Sequence, residues 1–164
     1  KLLGFPYPGG PLIDKHAKLG NASAFEFAKP NMKNYDYSFS GLKTSILYFI
    51  RAQEKENPNF ISQNLNDLCA SIQESICQIL LKKLIKAAKE LNIKEIAIAG
   101  GVSANSGLRQ TILSTGEKLG WNVYIPKFEY CTDNAAMIAM AAYFKYEASV
   151  FCGQDVTANP RMKI

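Results

Sequence analysis

Glu95-Ile96-Ala97-Ile98-Ala99-Gly100-Gly101-Val102-Ser103-Ala104-Asn105 is the stretch on which the reading of this chain turns. A short apolar segment suited to a buried strand runs into two glycines and then into a helix expected from about Ser103 to Lys118. Asn122-Val123-Tyr124-Ile125 supplies a second strand, and a last helix starts near Asp133. Strand, helix, strand, helix in that order implies parallel neighbours joined by a right-handed crossover. In open parallel sheets the ligand crevice lies beyond the carboxyl ends of the strands, so the Gly100–Asn105 and Cys131–Asn134 turns should line one cleft. The fold class expected is α/β.

Upstream, apolar residues recur at steps of three and four from Leu65 to Leu91, the mark of a long amphipathic helix, and Leu81 and Ile85 widen its apolar face enough for it to be covered on two sides. Tyr7-Pro8-Gly9-Gly10-Pro11 reads as a turn into a helix that passes through Ile13 and Ala17 and stops at Gly20. Tyr35-Asp36-Tyr37-Ser38-Phe39 alternates as a strand does, after which Ser40 is placed to cap a helix carrying Leu42, Ile46, Phe49 and Ile50. Gly20–Asn34 and Glu54–Asn59 are polar, turn-rich and linker-like.

At 164 residues, 48% hydrophobic and 20% charged, the chain has the bulk of one globular domain, which excludes a disordered tail or a fibre. Its apolar runs fall far short of the roughly 18 residues that span a bilayer, so it reads as a protein without a membrane role. Cys69, Cys77, Cys131 and Cys152 form no Cys-x-x-Cys pair and read as reduced thiols of a cytoplasmic protein. The net charge of +5 permits a polyanionic partner without identifying one. Lys82, Lys83, Lys86, Lys89 and Lys94 read as the wet side of the long helix. The opening Lys1-Leu2-Leu3-Gly4 reads as a chain cut from a longer protein.

Gly100 and Gly101 open a helix, where free amides and the helix dipole suit phosphate and the missing β-carbons admit a nucleotide. Tight packing explains a glycine pair equally well, and both readings stay open. Gly107 is misplaced for a dinucleotide fingerprint, and Ser40-Gly41-Leu42-Lys43-Thr44 lacks the spacing of a phosphate loop. Asp133 is either the N-cap of the last helix, the role its residue type favours, or a carboxylate aimed into the cleft. His16 reads as a helix-surface residue and Cys131 as a half-buried packing cysteine. No Gly-x-Ser-x-Gly elbow exists, and one histidine leaves little choice of base for a nucleophilic triad.

Tyr7-Pro8-Gly9-Gly10-Pro11, Ser38-Phe39-Ser40-Gly41-Leu42-Lys43-Thr44, Gly100-Gly101-Val102-Ser103-Ala104-Asn105 and Cys131-Thr132-Asp133-Asn134-Ala135-Ala136-Met137-Ile138-Ala139 occur together in this order. That combination resembles the second half of the TsaD family, the tRNA adenosine threonylcarbamoyltransferases, an older name for which is O-sialoglycoprotein endopeptidase. The resemblance implies an actin and Hsp70-like (ribonuclease H-like) fold of two lobes, with residues 1–164 as the carboxyl-terminal lobe, a central sheet flanked by helices, and the amino-terminal lobe absent.

It also implies transfer of a threonylcarbamoyl group from threonylcarbamoyl-AMP to the exocyclic amine of the adenosine 3′ of certain tRNA anticodons. Gly10 and Asn105 would contact the adenylate donor, with Gly9, Gly100 and Gly101 shaping the backbone around it, and Asp133 would be a metal ligand. The implied cofactor is one divalent ion per subunit, iron or zinc, completed by two histidines four residues apart in the first half. The implied partners are tRNA and helper proteins, in bacteria a related pseudoenzyme and a small ATPase. With its other half missing, the chain is expected to bind nucleotide or metal feebly and to catalyse no transfer alone. The rival readings are a metallopeptidase, an ATPase or sugar kinase of the same superfamily, and a nucleotide-bound scaffold.

Overall fold

Apolar side chains at steps of three and four run along α4 (Leu65–Glu90), and a helix of 26 residues with so wide a stripe has more surface to bury than one neighbour can cover. The computed structural model, which describes residues 1–30 and 32–159, gives it two cores. Leu68, Cys69, Ile72 and Ile79 pack with Leu3, Phe27, Phe60 and the Leu42, Ile46 and Ile50 stripe of α2 (Phe39–Glu56). Cys77 and Leu81 pack with Leu108 and Ile112 of α5 (Ser106–Leu119), with Ile85, Ile98 and Val123 at the edge. Each buried leucine or isoleucine contributes about 1.5–3 kcal/mol. The covering of the long helix on two sides is borne out. Burial pushes the Cys69 thiol up to about 11, and burial first, then the nearby Glu74 and Asp14 carboxylates, does the same to Cys77.

The other elements are α1 (Gly9–Ala17), α3 (Phe60–Gln63), β1 (Glu95–Ala97), β2 (Asn122–Tyr124) and α6 (Ala135–Glu147), with 3-10 turns at Gly101–Ala104 and Phe128–Tyr130. The strands pair in parallel, Glu95 opposite Asn122, Ile96 opposite Val123 and Ala97 opposite Tyr124. The Glu95 carboxylate accepts hydrogen bonds from the Tyr124 hydroxyl and the Asn122 amide, which hold its carboxyl below the usual range. Among the described residues the sheet has these two strands, and only one face is covered: Ile96 is buried while Glu95, Ala97, Asn122 and Tyr124 are exposed. β1 is therefore a half-covered strand, not the buried one its apolar run suggested.

Four further expectations are corrected. Tyr35–Phe39 forms no strand; the chain turns there, and α2 begins at Phe39 behind Ser38 rather than behind a capping Ser40. Alternation alone cannot make a strand where no neighbouring strand offers a ladder. The described residues of the Gly20–Asn34 stretch are irregular but tied down, because Ser71 Oγ accepts from the Phe25 amide at 3.1 Å and Asp67 accepts from the Asn21 amide at 2.7 Å. Lys83 leaves the wet side: it is buried, and its ammonium donates to the carbonyls of Met32 and Asn34. The helix expected from Ser103 divides into the 3-10 turn and α5, with Asn105 between them.

A β-carbon on Gly20 would stand 2.1 Å from the Asn66 carbonyl oxygen, whereas one on Gly10 meets nothing within 4 Å. Gly20→Ala is expected to destabilise the chain by about 2 kcal/mol or more, and Gly10→Ala to leave it unchanged or up to about 1 kcal/mol more stable. Urea unfolding of both variants, followed by circular dichroism, checks the pair.

Candidate functional site

The Gly100–Asn105 turn leaves β1 at its carboxyl end. Gly100 holds φ at +78°, a conformation that glycine adopts without strain, and its carbonyl accepts from both the Ser103 amide and the Ser103 hydroxyl, at 2.9 and 2.7 Å. The bent loop is thereby locked with its glycines outward. Ala104 and Asn105 then lead into α5, where the Asn105 side chain caps the helix by accepting from the Leu108 amide at 2.8 Å. Its amide nitrogen donates to Gln73 Oε1 on α4 at 2.7 Å. One acceptor lone pair and one N–H of Asn105 remain for a ligand.

The glycines divide into two groups. At Gly20, Gly41, Gly107, Gly116 and Gly153 a β-carbon would come within 2.1–2.6 Å of a neighbour, backbone at Gly20 and side chains at the others. At Gly4, Gly9, Gly10, Gly100, Gly101 and Gly120 it would meet nothing within 4 Å. No described residue of this chain crowds the Gly100-Gly101 pair; the positive φ of Gly100 accounts for that glycine, and Gly10, Gly100 and Gly101 are exposed while Gly9 is half-buried.

The start of α5 is less free than its sequence suggested. Asp14 of α1 accepts from the Ser106 amide at 3.0 Å and from the Ser106 hydroxyl at 2.8 Å. A carboxylate already answers the positive end of this helix, and a second first-turn amide belongs to Asn105. An anion at this turn has the Gly100-Gly101 backbone to use, not the first turn of α5. The same contact seats α1 beside the loop, with Gly10 one helical turn, about 6 Å of rise, before Asp14. His16, also on α1, is half-buried and hydrogen-bonded to Asn66 Oδ1 at 2.7 Å, so it is a packing residue rather than a purely surface one.

Arg109 joins the second loop to the first. Its Nε donates to the Ser103 carbonyl at 2.6 Å, and Nη2 donates to the Pro126 carbonyl at 2.8 Å and to Cys131 Sγ at 3.1 Å. The guanidinium carbon stands 4.0 Å from the centre of the Phe128 ring, a cation–π contact that covers its remaining face. The Cys131 thiol donates in turn to the Lys127 carbonyl at 3.4 Å. Cys131 is fully buried, more than the half-burial its sequence suggested. One side chain therefore holds the Gly100–Asn105 and Cys131–Asn134 turns on the same side of the sheet.

Asp133 is not the N-cap. Asn134 caps α6, its side chain accepting from the Met137 amide at 3.0 Å and donating to the Thr132 carbonyl at 2.9 Å. The residue nearer the first helical turn wins the capping role, which leaves the exposed Asp133 carboxylate with no hydrogen bond or ion pair to any described residue. Among the described residues no three His, Cys, Asp or Glu side chains gather as a metal site, so Asp133 offers a single oxygen ligand. The hollow of about 220 Å³ bounded by Lys29, Tyr37, Lys82 and Lys83 contains none of the candidate residues. Asp14, Gln73 and Arg109 were missed in the sequence, because nothing local marks a helix residue that reaches a loop far along the chain.

The model of the TsaD family, described as tRNA N6-adenosine threonylcarbamoyltransferase, matches residues 1–140. Curated relatives with that same name include those of Riemerella anatipestifer, 57% identical over the whole chain, and Christiangramia forsetii, 54% identical over 99% of it. The Cytophaga hutchinsonii relative is 52% identical over the whole chain. Each match covers 48% of the relative, so the chain spans about half the length of the curated relatives it matches, and that half is carboxyl-terminal.

Arg109→Met is expected to lower stability by about 2–3 kcal/mol, the loss of charge-assisted hydrogen bonds to partners left half-buried. It should also expose Cys131 to alkylation, with the rate at pH 8 rising about tenfold or more as the loop opens. Cys69 and Cys77, whose thiols are pushed up to about 11, serve as slow internal references in the same mass-spectrometric assay.

Proposed function

Since the chain belongs to the tRNA N6-adenosine threonylcarbamoyltransferase family, we propose that it is the carboxyl-terminal lobe of an actin and Hsp70-like enzyme that moves a threonylcarbamoyl group onto tRNA. The donor is threonylcarbamoyl-AMP and the acceptor is the exocyclic amine of the adenosine 3′ of the anticodon. The observation that supports this reading is the uncrowded backbone at Gly9, Gly10, Gly100 and Gly101, on two segments that the Asp14–Ser106 hydrogen bonds tie together. A nucleotide can approach those peptide groups directly. Gly10 and the free N–H of Asn105 would hold the adenylate, and Gly9, Gly100 and Gly101 would give it room.

The reaction is acyl transfer from a mixed anhydride, and its main demand is orientation of the carbonyl toward the incoming amine. The tRNA supplies the nucleophile, so the lack of a serine or cysteine triad is in keeping with it. Residues of this chain would bind and orient the donor: the glycine turns set its position, and Arg109 keeps the two loops at a fixed separation. Asp133 would give a divalent iron or zinc ion one oxygen, with two histidines of the other half completing the set. Such an ion, when bound, stabilises charge on the carbonyl oxygen or on departing AMP. With a single metal ligand and one wall of a cleft, the isolated chain would be inactive. Phosphate contacts to tRNA would make binding strongly salt-dependent. The cytoplasm is the compartment, and a related pseudoenzyme and a small ATPase are the helper proteins.

The test joins the first half of the Riemerella anatipestifer relative to Lys1 and assays transfer to tRNA with synthetic donor. Turnover by the joined protein and none by the 164-residue chain is the expected result; equal rates for the two would overturn the reading. In the joined protein Asp133→Ala should lower bound metal, measured by elemental analysis, and reduce turnover by about 100-fold or more. Gly101→Val should raise KM for the donor about tenfold or more while leaving metal content unchanged.

A further inference from the structure

Two hydrogen bonds, one local and one from a distant helix, hold the Asn105 carboxamide. Its Oδ1 accepts from the Leu108 amide at 2.8 Å, which caps α5 and fixes which end of the group is oxygen. The torsion that sets the plane of an asparagine carboxamide has a broad well, so that bond alone leaves the plane free to rock. Gln73 of α4 supplies the second constraint, its Oε1 accepting from Asn105 Nδ2 at 2.7 Å. With both ends held the plane is set, and the other N–H of Asn105 has one direction open to it.

Gln73 is held firmly enough to set that plane. It follows Ile72 of one core and comes four residues before Cys77 of the other, so the part of α4 that carries it is gripped on both flanks. Gly107 leaves room for its carboxamide: a β-carbon there would stand 2.5 Å from Gln73 Nε2 and 3.4 Å from Asn105 Oδ1. Among the described residues the Gln73 side chain makes this one hydrogen bond. The attachment of α5 to α4 rests instead on Cys77 and Leu81, which pack with Leu108 and Ile112.

We propose that Gln73 is a positioning residue for the donor: acting through Asn105, it holds the carboxamide in the plane from which the free N–H meets an acceptor atom of the adenylate. The inference rests on the reading of Asn105 as an adenylate contact. Its consequence is that binding weakens when the plane is released, although Gln73 acts without touching the ligand. A side chain that must be ordered on binding, rather than beforehand, lowers affinity by about fivefold to tenfold.

The test uses the protein joined to the first half of the Riemerella anatipestifer relative, with AMP as the binding probe and transfer from synthetic donor as the kinetic readout. Gln73→Met keeps the length of the side chain and removes the acceptor. It is expected to weaken AMP binding, measured by calorimetry, by about fivefold to tenfold and to raise KM for the donor by the same factor, with kcat changed by less than about twofold. Gln73→Ala, which adds no apolar tip beside Gly107, should give the same rise in KM. Gln73→Glu restores an acceptor and should bring AMP binding and KM back to within about twofold of the unsubstituted protein. A merely structural role has a different signature: fewer active molecules, hence lower kcat at unchanged KM, and no advantage of Glu over Met. That signature would overturn the proposal, as would unchanged AMP binding in both Gln73→Met and Gln73→Ala. Failure of the unsubstituted joined protein to bind AMP would instead overturn the reading of Asn105 as an adenylate contact, and this role with it.

Discussion

Two apolar flanks on one helix set the terms for everything else in this molecule. Because α4 cannot be covered from one side, α2, the N-terminal segment and the Phe25–Phe60 aromatic cluster take one flank and α5 takes the other. The sheet meets the second core through Val123 of β2 and through Ile98 just past β1, and Ile96 is buried as well. The polar residues of α4 then position what lies outside the cores: Ser71 and Asp67 hold the Asn21–Phe25 loop, Lys83 holds Met32 and Asn34, and Gln73 holds Asn105. A helix that began as a packing problem thus also anchors the turn on which the ligand is proposed to sit.

Around that turn, three side chains with no evident local signature hold the backbone in place. Asp14 answers the amide of Ser106, Gln73 orients Asn105, and Arg109 spans from Ser103 to Pro126 and Cys131. Their effect is to brace the turn by hydrogen bonds while the peptide groups at Gly100 and Gly101 stay exposed, the kind of arrangement preorganisation requires. The contrast between crowded and open glycines carries more weight than the count of glycines. A glycine pressed against backbone, as Gly20 is, or held at positive φ, as Gly4, Gly100 and Gly120 are, is explained by the fold, while neither reason applies to Gly9, Gly10 and Gly101.

Much of the architecture was legible in order and period: the long helix, the two parallel strands, the glycine turn between them and the last helix all fall where the pattern put them. Errors came where a local signal had a competitor. Tyr35–Phe39 has the alternation of a strand and no strand to pair with. Asp133 and Asn134 are both capping residues, and only the backbone geometry, with Asn134 extended at φ −151°, chose between them. Lys83 shares its helical period with wet lysines, yet two carbonyls from a distant loop draw it inside.

By itself the amino-acid order determined the helix–strand–helix–strand–helix order from Leu65 onward, the parallel pairing, the family and the positions of the candidate residues, because periodicity and motif spacing are properties of neighbours along the chain. Only the tertiary structure decided which glycines are free, that α5 already carries a carboxylate at its start, that Asp133 is released from capping, and that α6 stands uncovered. Each of those depends on what lies across a gap in space between residues far apart in the chain, and no local period records that distance.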